Sequence, residues 1–304
     1  MTSSVGYALR KLAGQPSRVL KNLAIRVRTM ASWDRLYAAI PEPKRVGALP
    51  LDDAAVRAIV GALEASGLAV ERASVEPEAY RAFLVQADYA RHPLYLDGGR
   101  ARGFHEKGLE HFLAARLTGL HDGEVCIDVA SQLSPVSDIY SRLHGADMYA
   151  QDLSFPPGLH GRRIGGSAAS MPVPDAFADV IVLHNAFEHF EGDADTGFMR
   201  EAARVLKPGG RLCIVPLFLH VRFANQTDPA ALSGEPPRFD PGAEVWCVRG
   251  WHDRFGRYYD AARLASRVLA HTAAFDVRLL QLVDASAVDP DCYLRFAAVF
   301  RKRG

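Results

Sequence analysis

The sequence predicts an α/β fold: a doubly wound, mostly parallel sheet of seven strands, preceded by an N-terminal helical extension. Three observations carry that prediction. Val180 to Leu183 and Leu212 to Val215 are short apolar runs containing β-branched residues, as in strands buried on both faces. Between them Phe198, Ala202, Val205 and Leu206 recur at helical spacing, which makes the intervening segment a crossover helix. Lys207-Pro208-Gly209-Gly210 then stops it, because proline and glycine do not continue a helix. Strand, helix, strand is the unit of an open parallel sheet, whose ligands sit outside the carboxyl ends of the strands. His184, Asn185, Glu188 and His189 lie at that end.

The elements follow in chain order. Arg10, Lys11, Arg18, Lys21, Arg26 and Arg28 precede the first acid, Asp34, while Val19, Leu20, Leu23, Val27 and Met30 share one helical face. Such a basic amphipathic helix packs on the protein itself or on a partner, rests on anionic lipid, or serves as a targeting peptide. Residues 41–90 read as a small helical extension. Asp52 or Asp53 caps a helix through Val56, Ile59, Val60 and Leu63 that stops near Gly67, and a second begins at Pro77. After Pro93 and Gly98-Gly99, a helix with Leu109, Phe112, Leu113, Leu117 and Leu120 on one face leads into the sheet. The domain boundary is therefore set near residue 100, with an extension over 1–100 and the α/β domain over 101–304. Strands are expected at Val125 to Val129, Asp147 to Ala150, Arg163 to Gly166, the pair above, Asp276 to Val283 and Tyr293 to Phe300. Helices are expected from Pro135 to Leu143 and from Asp260 to Leu269. The connection 216–259 is longer than an ordinary loop and reads as a flap.

Composition narrows the function. A formal net charge of +1 gives no overall attraction to nucleic acid, and no apolar run approaches the roughly 20 residues a membrane span needs. Cys126, Cys213, Cys247 and Cys292 form no CxxC pair and read as reduced core thiols of a cytoplasmic protein. His105-Glu106 and His111 have HExxxxH spacing, not HExxH, so no metal is expected.

Three pieces in order resemble a class I S-adenosylmethionine (SAM) dependent methyltransferase. They are Ser170-Met171-Pro172-Val173-Pro174-Asp175 with Phe177-Ala178-Asp179, then Glu188-His189, then Arg204-Val205-Leu206-Lys207-Pro208-Gly209-Gly210. The resemblance implies a Rossmann-like sheet and SAM as cofactor. It also implies a glycine-rich loop after the first strand, where the chain instead has Asp128-Val129-Ala130-Ser131-Gln132-Leu133-Ser134. Asp128 matches the leading acid, while Ala130, Gln132 and Ser134 stand where glycine is usual. Either the loop runs along a different path or the pocket no longer takes SAM. The resemblance makes Asp152 the acceptor for the ribose hydroxyls, puts Ser167 and Ala168 beside the base, and makes His184 a pocket wall or adenosine neighbour.

For the chemistry, His189 is the candidate base, with Glu188 beside it, because an imidazole titrates near neutrality. In the flap, His220, Arg222, Trp251, His252, Arg254 and Tyr258 combine aromatic faces with cations, which suits a polar acceptor such as a sugar carrying phosphate or carboxylate. A loose likeness to methyltransferase-like proteins associated with bacterial surface polysaccharides points to the same acceptor class. The reading is O-methylation of a small polar acceptor or glycan by a cytoplasmic protein, with peripheral contact to anionic membrane through residues 1–30. The alternative is a methyltransferase-like binding or scaffold module without catalysis.

Overall fold

The computed structural model describes residues 33–96, 101–132, 134–232, 236–288 and 292–304. The basic segment 1–30, the Gly98-Gly99 pair and the expected boundary near residue 100 lie outside or at the edge of these. In chain order the elements are α1 (Trp33–Ala38), β1 (Lys44–Val46), α2 (Asp53–Ala65), β2 (Val70–Ala73), α3 (Pro77–Ala87), α4 (Pro93–Leu96), α5 (Ala101–Thr118), β3 (Val125–Val129), α6 (Val136–His144), β4 (Asp147–Asp152), β5 (Gly158–His160) and β6 (Arg163–Gly165). They continue with β7 (Ala178–His184), α7 (Ala194–Val205), β8 (Leu206–Val215), β9 (Ala224–Thr227), β10 (Glu244–Cys247), β11 (Gly256–Tyr258), α8 (Ala261–Arg267), β12 (Phe275–Leu282), α9 (Ala285–Val288) and β13 (Phe296–Lys302).

The main sheet has the order β2-β12-β13-β8-β7-β3-β4-β6-β5. From β8 through β6 the strands are parallel; β13 runs antiparallel between β12 and β8. The seven expected strands are present, and the sheet gains one more at each edge. β2 pairs in parallel with β12, and β5 folds back antiparallel on β6. Both additions are short and polar, with no apolar alternation to betray them. The chain starts at β3, builds outward through β4 and β6, then crosses back to β7 and β8, so the strand order reverses between β3 and β7. That reversal opens a crevice at their carboxyl ends.

Alternation along the strands separates two cores. Ile127, Val129, Ile181, Leu183, Leu212 and Ile214 face Phe198, Met199, Ala202 and Val205 of α7 together with Val56, Ile59 and Leu63 of α2. Cys126, Val180, Val182, Cys213 and Val215 face Leu109, Phe112 and Leu113 of α5 and Ile139 and Tyr140 of α6. Asp52 caps α2 by accepting the Ala55 N–H, as expected.

One expectation is corrected. Residues 41–90 are not purely helical, since they supply β1 and β2. Within the flap segment, β9, β10 and β11 join β1 of the extension in a second sheet of order β1-β10-β9-β11. Its strands have three or four residues each, too short for a periodic signal.

Candidate active site

Beyond Val129 the chain turns at once through Ala130, Ser131 and Gln132. Ala130 has φ +56° and Gln132 φ +43°, in the left-handed region that glycine enters freely and other residues enter at a cost. The turn therefore takes glycine-like backbone angles while carrying side chains. The end of β4 holds it. The Ser131 N–H donates to the Gln151 carbonyl (2.9 Å), the Ala130 N–H to Gln151 Oε1 (3.2 Å) and the Gln132 N–H to Asp152 Oδ2 (2.9 Å). Gln151 is buried, and its amide donates to the Gly166 carbonyl at 2.6 Å, which ties the turn to the segment leading into Ser167. Asp152 Oδ1 accepts the Ser154 N–H at 2.7 Å. A Cβ on Gly165 would collide with the Pro156 carbonyl oxygen, so the turn beyond β4 lies directly on β6. Leu153, next to Asp152, is 77% exposed, an apolar surface at the rim of the crevice. Ser167 is exposed with its Oγ accepting the Ala169 N–H, and Ala168 is buried in the core.

Under the turn lies a buried polar cluster. Asp128 Oδ1 is 3.1 Å from His184 Nδ1, and His184 Nε2 is 3.3 Å from the Tyr140 hydroxyl. That hydroxyl donates to the His111 carbonyl at 2.5 Å, and the His111 ring meets His184 edge-on with centroids 4.8 Å apart. Burial holds His111 well below the ordinary imidazole range. Asp128 Oδ2, Ser131 Oγ and Glu188 Oε2 are buried without a hydrogen-bond partner. Buried polar atoms are ordinarily satisfied; Asp128 and Ser131 lie at the carboxyl end of β3 and Glu188 just beyond β7, the two strands between which the order reverses.

Across the crevice, Asn185 follows β7 at φ +48°, and a short 3-10 turn, Phe187–His189, presents the Glu-His pair. His189 Nδ1 lies 2.5 Å from the Phe255 carbonyl oxygen. A carbonyl only accepts, so Nδ1 carries a hydrogen, and whenever the ring is neutral it is Nε2 that holds the lone pair. Nε2 is 3.5 Å from Glu188 Oε1, and the ring is 30% exposed. Burial raises the Glu188 carboxyl above its usual range, partly offset by His189. Tyr258 stands close enough to Glu188 that the carboxylate, after burial, also raises its phenol. Four neighbours escaped the sequence reading: Asn185 as a contact, Lys107, Phe218 and Tyr293. The Tyr293 hydroxyl donates to Asn185 Oδ1 (2.8 Å) and accepts from Lys107 Nζ (3.3 Å), while Phe218 packs against both Tyr258 and Tyr293. The strained backbone at Asn185 was invisible because its neighbours come from distant parts of the chain.

The structure divides the expected flap residues. Trp251 and Tyr258 come to the site, Trp251 with its ring 5.8 Å from that of His189. Arg254 pairs with Glu191 at the outer side of the turn. His220 and Arg222 do not meet the Glu-His pair: the His220 ring accepts the Arg222 N–H, and Arg222 pairs with Glu244 beside Trp246. The His252 N–H donates to Asp228, making it a turn residue at φ +69°. No metal-binding group of His, Cys, Asp and Glu occurs among the described residues, and no described helix is long and apolar enough to cross a membrane.

Residues 96–214 match the family model of a methyltransferase domain. Over that span the resemblance to a methyltransferase read in the sequence is borne out. No curated protein matches the chain by sequence. Among solved structures it is similar to a Burkholderia thailandensis 1,6-didemethyltoxoflavin-N1-methyltransferase bound to 1,6-didemethyltoxoflavin and S-adenosylhomocysteine, with 17% identity, 77% of this chain and 94% of that chain covered, and a TM-score of 0.43. The YcgJ protein of Bacillus subtilis aligns at 14% identity over 64% of this chain and 99% of its own, TM-score 0.41. The [4+2]-cyclase SpnF aligns at 15% identity over 77% and 98%, TM-score 0.40.

Proposed function

We propose that this methyltransferase domain transfers the methyl group of SAM to a hydroxyl of a small polar acceptor or glycan, with His189 as the base. The observation that carries the proposal is the 2.5 Å bond between His189 Nδ1 and the Phe255 carbonyl, because it leaves Nε2 as the proton-accepting nitrogen beside Glu188. When bound, SAM supplies an electrophilic methyl group. The residues fit it: Asp128 Oδ2 and Ser131 Oγ are polar atoms in need of partners, Asp152 retains lone pairs for ribose hydroxyls, and Leu153 offers an apolar face beside it. Gln132, Ser167, Ala168 and His184 line or support the same crevice in this reading, with Ala130 at its base.

On the acceptor side, Trp251, Tyr258 and Phe218 give the crevice an aromatic wall, and Lys107 with Tyr293 and Asn185 gives it polar contacts. In the transfer the acceptor oxygen would gain the methyl group as the sulfur–methyl bond breaks and S-adenosylhomocysteine leaves, and His189 Nε2 would take the hydroxyl proton. Glu188 stabilises the imidazolium that forms. Contact of residues 1–30 with anionic lipid remains part of this reading on the strength of their charge pattern alone.

Calorimetric titration with SAM and with S-adenosylhomocysteine tests the cofactor assignment, and absence of binding to both would refute it. His189→Ala should lower turnover by about 10² to 10⁴ fold with SAM affinity kept. Lost cofactor binding without a selective rate effect would make His189 a pocket wall.

A further inference from the structure

One face of the second sheet leads to the Glu-His pair, and its register names the residues on it. Gln226 of β9 lies beside Trp246 of β10 and Gly256 of β11, while Ala224 lies beside Glu244 and Tyr258. Paired residues share a face and successive residues alternate, so Asn225 and Arg257 lie on the other side, where both bond Asp240. A Cβ on Gly256 would meet the Trp251 ring at 2.6 Å, so that indole covers Gly256 on the face that carries Gln226. The same indole lies 5.8 Å from the His189 ring. Tyr258, beside Ala224 and Trp246, reaches the field of Glu188.

Gln226 is the anomaly in this row. It is only 4% exposed, yet its side-chain amide makes no hydrogen bond among the described residues. Its neighbours on the opposite face are bonded: Asn225 Nδ2 donates to Asp240 Oδ2 at 2.8 Å and Thr227 Oγ1 to the Arg254 carbonyl at 2.7 Å. Burial takes water from an amide, and native structures rarely leave that cost uncompensated.

We propose that this face is the subsite for the acceptor's ring, and that Gln226 selects a pyranose by pairing with two adjacent hydroxyls between the indoles of Trp246 and Trp251. The proposal rests on the methyl-transfer reading above and narrows its acceptor to a sugar. A carboxamide offers donor hydrogens and an acceptor oxygen, and each hydroxyl both gives and accepts, so neighbouring hydroxyls match it. Indole surfaces cover the C–H face of such a ring. A strand spacing of about 4.8 Å separates Gln226 from Gly256. A ring held on the amide therefore lies against Trp251, the indole that also borders His189. An apolar acceptor would leave the amide unpaired, and a site built around a hydrogen bond rejects a ligand that lacks it.

Saturation-transfer NMR on the full chain tests this with the methyl pyranosides of glucose, galactose, mannose and N-acetylglucosamine, and with catechol as a planar aromatic alternative. At least one pyranoside should bind, with saturation strongest on the C–H protons of one ring face. Gln226→Met keeps the bulk and removes the hydrogen bonds, and should weaken that pyranoside by roughly 3 to 10 fold. Its thermal midpoint should equal or exceed that of wild type, because the amide it replaces has no partner to lose. Gly256→Ala leaves Gln226 in place but displaces the Trp251 indole, and should weaken the same pyranoside. No pyranoside binding, binding of catechol alone, pyranoside affinity unchanged in either variant, or a lowered midpoint in Gln226→Met each overturns the proposal. Calorimetry with SAM separates the two readings. Pyranoside bound without SAM removes the cofactor assignment and keeps the subsite, whereas SAM bound without any pyranoside removes the subsite and keeps the cofactor assignment.

Discussion

A side chain in the left-handed region costs roughly 1–2 kcal/mol, and Gln132 at φ +43° carries that cost in the turn after β3, where we propose the cofactor binds. The sequence made Gln132 legible as a departure from a glycine loop and left two outcomes open, another path or a lost pocket. The structure keeps glycine-like angles at Ala130 and Gln132 and holds the turn with Gln151 and Asp152. Gln151 was illegible because nothing in a strand residue announces an acceptor for a loop amide across the sheet. Gln132→Gly should relieve the strain but loosen the unfolded chain by about 0.4–1 kcal/mol. The net expectation is a gain of about 0.5–1 kcal/mol in urea unfolding, and a loss of stability would show that the Gln132 side chain holds the turn. At Glu188 the sign runs with pH. Burial raises its folded-state pKa above the unfolded value near 4.5, so the folded protein binds this proton more tightly and stability falls as pH rises through that value toward the folded one. Glu188→Gln removes the carboxylate. Its stability relative to wild type should be nearly equal below the window and greater above it, by on the order of 1 kcal/mol. Parallel stability curves for the two proteins across the window would contradict the buried carboxylate's role.

At the scale of elements, the site depends on the flap sheet being fixed against the turn that follows His189. Arg257 of β11 has no exposed surface and meets Asp240 twice at 2.7 Å, Asp195 at 3.0 Å, and the Phe190 and Gly192 carbonyls at 2.7 and 2.8 Å. Arg267 and the Tyr259 hydroxyl meet Asp195 from the other side. Two residues before Arg257, Phe255 supplies the carbonyl that fixes the His189 tautomer. The aromatic and cationic content of 251–259 was legible, but not the division of labour within it. Arg254 and Arg257 read alike in sequence, and only burial separates them. Breaking a buried, fully bonded ion pair costs roughly 3–5 kcal/mol, whereas an exposed pair is worth about 0–1. Arg257→Leu should therefore lower the urea midpoint far more than Arg254→Ala, which loses the partly exposed pair with Glu191. Equal midpoints for the two variants would remove the lock from this account.

At the scale of the molecule, the parallel centre was legible because β3, β7 and β8 are apolar on both faces, and that pattern survives without knowledge of neighbours. The margins were not, because β1, β2 and β5 are short, polar and defined only by the strands beside them. This matters for where the chain can be cut. The extension gives β2 to the edge of the main sheet through four paired residues against β12, and α2 sets Val56, Ile59 and Leu63 into the core beneath α7 and α8. β1 pairs with β10 in the flap sheet, and Trp33 and Ile40 pack on Val245 and Cys247. Each fully buried side chain of this size contributes roughly 1.5–3 kcal/mol. Losing several of them is comparable to the roughly 5–15 kcal/mol that holds an ordinary domain together. A fragment beginning at residue 101 should therefore be unfolded or aggregated, with β12 and β10 left as open edges. A fragment beginning at residue 33 keeps every one of these contacts and should unfold cooperatively, with the far-ultraviolet dichroism of an α/β protein. A residue-101 fragment that is monomeric and as stable as the longer one would show that the sheet closes without its N-terminal strands.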